Sequence, residues 1–475
     1  MNRINFNNIK NVHLTGIKGV GMTALALYLT DMGIKVGGSD VSEVFVTDEI
    51  LKKKGISYKL GIKKENVPSD CDLLITTAAH GGLNNVEAVY ARKKNIKVIT
   101  YAEALAMISL EKETICVCGV GGKTSISSML AVVCDSAGLN PSYIVGVGNI
   151  FPIGVPGRYV REGRNFICES DEYVVSPGVD NRAKFNLLFP KVIVVTNIEY
   201  DHPDIYKNLD ETENTFLQFF NKLHKFGYLI ADSDNENTMS VAKKSKANLI
   251  TYGFDKTADY FIKKIRHVDQ KTKFDLYIKK NKILVKDISI NLPGKYNVKN
   301  AVAAYAVGNL LGISEENLRK GLNRYLGCRR RFEQMPFYKG ATFYDDYAHH
   351  PKEIENVIET TRQWFRKRRI IVIFQPHTYS RTKALLDQFS KSFNKADIVG
   401  IMDIYASARE KADPKLSSEV LVKAVKRHKD KVVYLKDHAN TIKWIENNVN
   451  AKDIVLTLGA GDIFHLYDKI KKKGN

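Results

Sequence analysis

Thr114-Ile115-Cys116-Val117-Cys118-Gly119-Val120-Gly121-Gly122-Lys123-Thr124-Ser125 is an apolar, β-rich run that turns through three glycines into a lysine and two hydroxyls. Residues 114–118 read as a strand, and the pattern after Lys123 reads as a helix to about Ala137. Strand, glycine loop and helix in that order belong to a parallel α/β sheet. Gly119, Gly121 and Gly122 let backbone N–H groups curl around phosphate oxygens. Lys123 is placed to reach the β- and γ-phosphates, and the Thr124 hydroxyl, with Ser125 beside it, to face Mg²⁺. The pattern G-x-x-x-x-G-K-[ST] is not met in full, because Val117 stands where its first glycine belongs. A glycine-rich turn with a chance Lys-Thr is the plainer reading, and the flanking strand and helix favour the phosphate loop.

Further along, Glu169 ends the apolar run Asn165–Cys168, inside Glu169-Ser170-Asp171-Glu172. His202 follows a strand at 191–197. In a parallel sheet the carboxyl ends of the strands share one edge, so Thr124, Glu169 and His202 are expected to converge there on one metal ion. Singly, each acidic cluster reads as a polar loop and His202 as a structural histidine. Before the loop, Asn11–Thr15 reads as a strand, 16–21 as a glycine turn and the next stretch as a helix to about Met32. A second strand, Lys35–Gly38, ends at Ser39-Asp40, and strands follow at Leu73–Thr76 and Lys97–Ile99. Gly16-x-x-Gly19-x-Gly21 is not the G-x-G-x-x-G order of dinucleotide binders. Asp40 stands where a ribose-binding acid belongs, and a tight turn with an exposed aspartate accounts for it equally well.

Residues 232–290 read as charged and irregular, followed by a helix from Asn297 to about Leu311. Strands are expected at Thr342–Asp346, Ile370–Gln375, Ile398–Ile401 and Ile454–Leu458. At 475 residues the chain exceeds one core, and we divide it at 1–110, 111–328 and 329–475. Its 44% hydrophobic and 26% charged residues fit a soluble globular protein. No apolar run is long enough for a bilayer and the start has no signal-type apolar core, so the expected location is cytoplasmic, with no membrane partner. The net charge of +20 is spread along the chain, with short clusters such as 52–54 and 471–473. Without a recognition helix or an aromatic RNA-binding pattern, no nucleic-acid partner is expected. A basic surface suits anionic small molecules. The six cysteines form no C-x-x-C pair and read as buried thiols.

Taken in order, the chain resembles the Mur ligases of peptidoglycan synthesis over nearly its whole length. The resemblance runs through GIKGVGM at 16–22, GSD at 38–40, GVGGKTS at 119–125, ESDE at 169–172 and TNIEYDHPD at 196–204. It continues through LPGKYNVKN at 292–300, RRFE at 330–333, DDYAHHP at 345–351, FQPHTYSRT at 374–382, IYASARE at 404–410 and LGAGDI at 458–463. DDYAHHP and QPHTYSRT resemble the alanine-adding branch. The resemblance implies three α/β domains: N-terminal Rossmann-like, a central P-loop ATPase-like domain with a mainly parallel sheet, and C-terminal Rossmann-like. It implies joining of L-alanine to UDP-N-acetylmuramate at the cost of ATP, with Mg²⁺, by a monomer or weak homodimer. A tripeptide-recycling ligase is the first alternative, and a nucleic-acid-linked ATPase the second.

By the same resemblance, Gly16, Gly19, Gly21 and Asp40 would hold the UDP part. Lys123 would be the phosphate-loop lysine, with Glu169 and His202 as metal ligands. Asn297 and Asn300 would lie around the adenine and the ATP site, and Arg331 and Asp346 would reach ATP. His349, His350, His377 and Arg381 would face the amino acid and the muramoyl carboxylate, with His350 or a neighbour taking the amine proton. The chain departs at Val120, Gly121 and Ser125, where the family has Thr, His and Thr. It departs also at Tyr296 in place of a histidine and at Arg409 in place of a glycine.

Overall fold

The computed structural model describes residues 4–200, 202, 205–268, 270–406 and 416–474. They form two compact units, Met1–Asn291 with Lys295–Cys328, and Leu292–Gly294 with Arg329–Asn475.

The first unit holds two large sheets. One has five parallel strands in the order Tyr58–Leu60, Lys35–Asp40, Asn11–Thr15, Leu73–Thr76, Lys97–Thr100. The strand order reverses beside Asn11–Thr15, and the glycine turn leaves the carboxyl end of that strand, where α/β sheets open a crevice. The other sheet has ten strands, of which seven in a row are parallel, from Tyr260–Val268 through Asn248–Gly253, Tyr228–Asp232, Pro190–Val195, Glu113–Cys118 and Asn165–Glu169 to Ser142–Ile144. Its central strands are continuous runs of Val, Ile and Cys because both of their faces are covered. All six cysteines are buried thiols.

The stretch 232–290 is regular, contrary to its appearance in sequence. It carries the helix Glu236–Lys244 and, besides Asn248–Gly253, the strands Tyr260–Val268, Lys271–Ile278 and Ile283–Ile290, the last three antiparallel to one another at the sheet's edge. Two features hide them. Exposed lysines such as Lys263, Lys279 and Lys286 fill the outer face, while Phe274, Leu276, Val285 and Ile288 are buried. Register shifts between Lys263 and Arg266, and between Phe274 and Leu276, break the two-residue alternation.

The second unit has a six-stranded sheet in the order Glu333–Tyr338, Ala341–Asp346, Ile454–Leu458, Ile370–Phe374, Ile398–Met402, Val432–Lys436. Only the first pair is antiparallel. Glu333–Tyr338 and Val432–Lys436 go unread in the sequence, each being a half-exposed edge strand.

Within the first unit, the helix Val20–Asp31 packs on the short strand Gly157–Arg158. Tyr28 meets Phe166 and Tyr159 edge-on, with ring centroids 5.8 and 5.3 Å away. The approach is so close that a Cβ on Gly157 would stand 1.9 Å from the carbonyl oxygen of Ala24. Gly157→Ala is therefore expected to cost about 1–3 kcal/mol by overpacking. An unchanged thermal unfolding midpoint would contradict this contact.

Candidate functional site

The strand Glu113–Cys118 lies between Asn165–Glu169 and Pro190–Val195, with Val117 beside Glu169 and Cys118 beside Val195. Three loops therefore leave one edge together. Val117 is fully buried within its strand, so the loop proper begins at Gly119. Gly119 has φ +115°, and a Cβ there would meet Thr196 Oγ1 at 2.2 Å. Val120 N donates to Asn197 O at 3.0 Å and Gly121 N to Asn197 Oδ1 at 2.9 Å. The helix Lys123–Ser136 starts behind Gly122, which has no side chain to cap it, so its positive end faces the loop.

Charged groups from the neighbouring strand ends gather at this loop. Thr124 Oγ1 donates to Glu169 Oε1 at 2.9 Å, and Gly146 N donates to the other oxygen at 3.0 Å. Lys123 Nζ donates to both oxygens of Glu172, at 3.1 and 2.9 Å. Lys184 holds Asp171 at 2.7 Å. Ligand atoms of Asp171, Glu172 and His202 lie within 4.8 Å of one another. His202 has φ +58°, a left-handed backbone that a histidine adopts only when its surroundings impose it. Its ring meets Tyr173 edge-on at 5.0 Å.

Burial alone would lower the Lys123 pKa, but Glu172, Asp171 and Glu169 together raise it. Burial likewise opposes the Asp171 charge, yet Lys184 and Lys123 hold that carboxyl well below its usual range. For Glu172 burial prevails over Lys123, and its pKa is raised.

The expected trio thus falls into two neighbouring sets. Thr124 pairs with Glu169, while His202 stands with Asp171 and Glu172. Neither Asp171 nor Glu172 was singled out from the sequence, although both lie in the quoted ESDE run. The donors are hard carboxylate and hydroxyl oxygens with one imidazole, a set that fits Mg²⁺. Asn297 and Asn300 are buried on the helix Lys295–Leu310. A Cβ on Gly122 would stand 2.9 Å from Asn300 Oδ1, so that side chain borders the loop. Asp201, Pro203 and Asp204 lie outside the described residues.

In the five-stranded sheet, Gly16 N donates to Ser39 O at 2.8 Å and Gly19 N to Gly16 O at 3.2 Å. A Cβ on Gly21 would stand 2.9 Å from the Tyr101 hydroxyl. Asp40 is only 1% exposed, which rules out an exposed turn aspartate. Its carboxylate accepts from Lys18 N at 2.7 Å and Val41 N at 2.8 Å, tying the glycine turn to the second strand.

In the second unit, Asp346 accepts from Phe332 N at 2.7 Å and Ala348 N at 2.8 Å. Burial pushes its pKa up to about 6, against the pull of Arg331. The Arg331 guanidinium lies 5.5 Å from the Tyr347 ring centroid. His350 is the N-cap of the helix Pro351–Trp364, its Nδ1 accepting from Lys352 N at 3.4 Å. That leaves the proton of a neutral ring on Nε2. His349 has the opposite arrangement. Its Nδ1 lies 2.9 Å from Tyr347 O, a carbonyl that can only accept, so the lone pair of the neutral ring sits on Nε2. Burial, helped by Arg381 and Arg331, lowers the His349 pKa despite the opposing charge of Glu353. His377 is 6.1 Å from the His349 ring and stacks on Tyr405 at 5.9 Å. Arg409 lies outside the described residues.

Three family models match the chain in order: "Mur ligase family, catalytic domain" at 11–113, "Mur ligase middle domain" at 117–308 and "Mur ligase, glutamate ligase domain" at 330–461. A UDP-N-acetylmuramate–L-alanine ligase of Caldanaerobacter subterraneus subsp. tengcongensis is 37% identical over 98% of both chains. One from Clostridium acetobutylicum is 36% identical over 98% of both. The crystal structure of the UDP-N-acetylmuramate–alanine ligase of Thermotoga maritima superposes with a TM-score of 0.82 at 25% identity, covering 98% of this chain and 99% of that one. With three family models matched in order and relatives of more than 30% identity along 98% of its length, the chain belongs to the Mur ligase family.

Proposed function

We propose that the chain is an ADP-forming ligase that joins L-alanine to the carboxylate of UDP-N-acetylmuramate. The observation that carries this reading is the glycine loop and Lys123 at one sheet edge with Glu169, Asp171, Glu172 and His202. The relatives' names supply the two substrates. A carboxylate cannot acylate an amine directly, because oxide is no leaving group. Its oxygen therefore attacks the γ-phosphorus of ATP, the bond to ADP breaks and an acyl phosphate forms. The amine of L-alanine adds to the acyl carbon, and the tetrahedral intermediate expels phosphate as the amine loses its proton.

Each group on the chain has work in that sequence. The Gly119–Gly122 loop and the start of the helix Lys123–Ser136 bind the phosphates. Lys123 leaves Glu172 for a phosphate oxygen and neutralises charge there. Thr124, Glu169, Asp171, Glu172 and His202 are the residues that would hold Mg²⁺, which would offset phosphate charge and polarise the group being transferred. Asn297 and Asn300 line the nucleotide side, and Gly16, Gly19, Gly21 and Asp40 frame the UDP side. We assign residues 1–110 to the UDP-sugar, 111–328 to ATP and 329–475 to the amino acid. In the last of these, Arg331 and Arg381 supply positive charge for a carboxylate, beside His377. His349 receives the amine proton at Nε2, a role the capping arrangement of His350 does not suit. Among the described residues no helix is long and apolar enough to cross a membrane. A cytoplasmic monomer or weak homodimer is the proposed form.

The test is ADP release with ATP, Mg²⁺ and UDP-N-acetylmuramate, adding L-alanine, glycine, L-serine or the recycling tripeptide in turn. L-alanine is expected to give the fastest turnover, and Lys123→Ala to reduce it by about a hundredfold or more with its circular dichroism unchanged. Preference for the tripeptide would move the chain to the recycling branch. His349→Gln is expected to lower kcat by about a hundredfold at neutral pH. Because burial lowers the His349 pKa from its ordinary 6.5, the acid limb of the wild-type profile should fall below that value. The variant's deficit should shrink at high pH, where the amine deprotonates unaided. A kcat unaffected at neutral pH would remove His349 from the reaction.

A further inference from the structure

Glu87, which has no part in the reaction described above, is fully buried at the second position of the helix Val86–Lys93. Its carboxylate takes five hydrogen bonds. His13 Nε2 at 3.0 Å, Thr15 Oγ1 at 2.6 Å and Ser39 Oγ at 2.6 Å meet one oxygen. Lys63 N and Asn66 Nδ2, both at 3.1 Å, meet the other. Burial opposes the charge, but the bonds from His13, Ser39 and Thr15 outweigh it and hold the carboxyl below its ordinary range. An ionised side chain in such a place adds little net stability over an apolar one of the same size, so its value lies in what it fixes.

What it fixes is the frame of the Gly16–Gly21 turn. Thr15 immediately precedes Gly16, and its carbonyl accepts from Thr77 N at 3.2 Å. The Ser39 carbonyl accepts from both Gly16 N and Ile17 N, at 2.8 and 3.2 Å. Asp40 O accepts from Gly61 N at 2.7 Å, and Gly61 O accepts from Asn66 Nδ2 at 2.6 Å, which closes a ring back to Glu87. One carboxylate thus holds three chain segments that converge on the turn, and being fully buried it cannot itself touch a ligand.

We infer that Glu87 is a positioning residue for the UDP-sugar, acting through Thr15 and Ser39 on the Gly16–Gly21 turn. The inference rests on the assignment of that turn to the UDP part. In Glu87→Gln an amide NH₂ replaces one acceptor and faces donors. The Michaelis constant for UDP-N-acetylmuramate is then expected to rise about tenfold, the scale of one unpaired buried hydrogen-bonding group. The constants for ATP and L-alanine, and kcat, should stay within about twofold. Calorimetric titration of the full chain with UDP should show the same tenfold loss. Ser39→Ala and Thr15→Val, each removing one donor, should give smaller losses in the same constant alone, and they decide the matter if Glu87→Gln does not fold. An unchanged constant for the UDP-sugar, or an equal rise in all three, would overturn the inference. Failure of the wild-type chain to bind UDP or its sugar would instead overturn the assignment of the turn, and the inference with it.

Discussion

A lysine ammonium withdrawn from water needs partners that replace its hydration, and Lys123 finds them in the carboxylate of Glu172. The two side chains are 15% and 2% exposed. A buried pair of this kind adds little net stability, because desolvation consumes most of the attraction. Removing one partner leaves the other charge stranded, which is far more costly. The pair therefore constrains any event at the site: the lysine can leave Glu172 only for another anion, and Glu172 can release the lysine only if another cation replaces it. In the proposed reaction a magnesium nucleotide would supply both together, the phosphate for Lys123 and the metal for the carboxylates. The proposed chemistry follows from that double exchange.

The exchange depends on sheet topology. Parallel strands send their carboxyl ends to one edge, so residues far apart in sequence, such as Thr124, Glu169 and His202, leave it as neighbours. Position along the strand sets which side chain arrives where. Glu169, still in register with Val117, turns toward Thr124 and Gly146. Asp171 and Glu172, beyond the strand, are free of its alternation and turn toward Lys184, Lys123 and His202. One four-residue acidic run thereby serves two subsites.

This division explains what could be read from sequence. The loop was legible because its chemistry is local: glycines, a lysine and a hydroxyl act where they stand. Glu169 and His202 were legible as strand-end residues. Assigning Glu172 to Lys123 was not, because the path of the chain after a strand is set by tertiary contacts and not by alternation. For the same reason Asp40 could be placed at its strand end, but its burial under Lys18 N and Val41 N could not. The capping of a helix by His350 and the reversed tautomer of its neighbour His349 differ by single hydrogen bonds, below anything a residue pattern records. The antiparallel edge in 232–290 was lost to lysines and bulges that erase its period.

The two glycine turns make the limits of motif reading clear, because each carries a lysine that is largely withdrawn from solvent. Lys18, 1% exposed, is spent within the fold: its Nζ donates to the carbonyls of Val41 and Glu43, lies 3.5 Å from Asp48 and sits over the Phe45 ring. The carbonyls and the ring belong to the loop itself and would keep hold of Lys18 even if Asp48 gave it up. Lys123 is held by a carboxylate, a partner a phosphate oxygen can replace one for one. The first turn can therefore offer a ligand only its backbone and its shape, whereas the second offers a mobile charge. A turn of the first kind suits a group that is bound and left unchanged, as the UDP part is in the proposed reaction. A turn of the second kind suits the phosphate whose charge changes as its bond is broken.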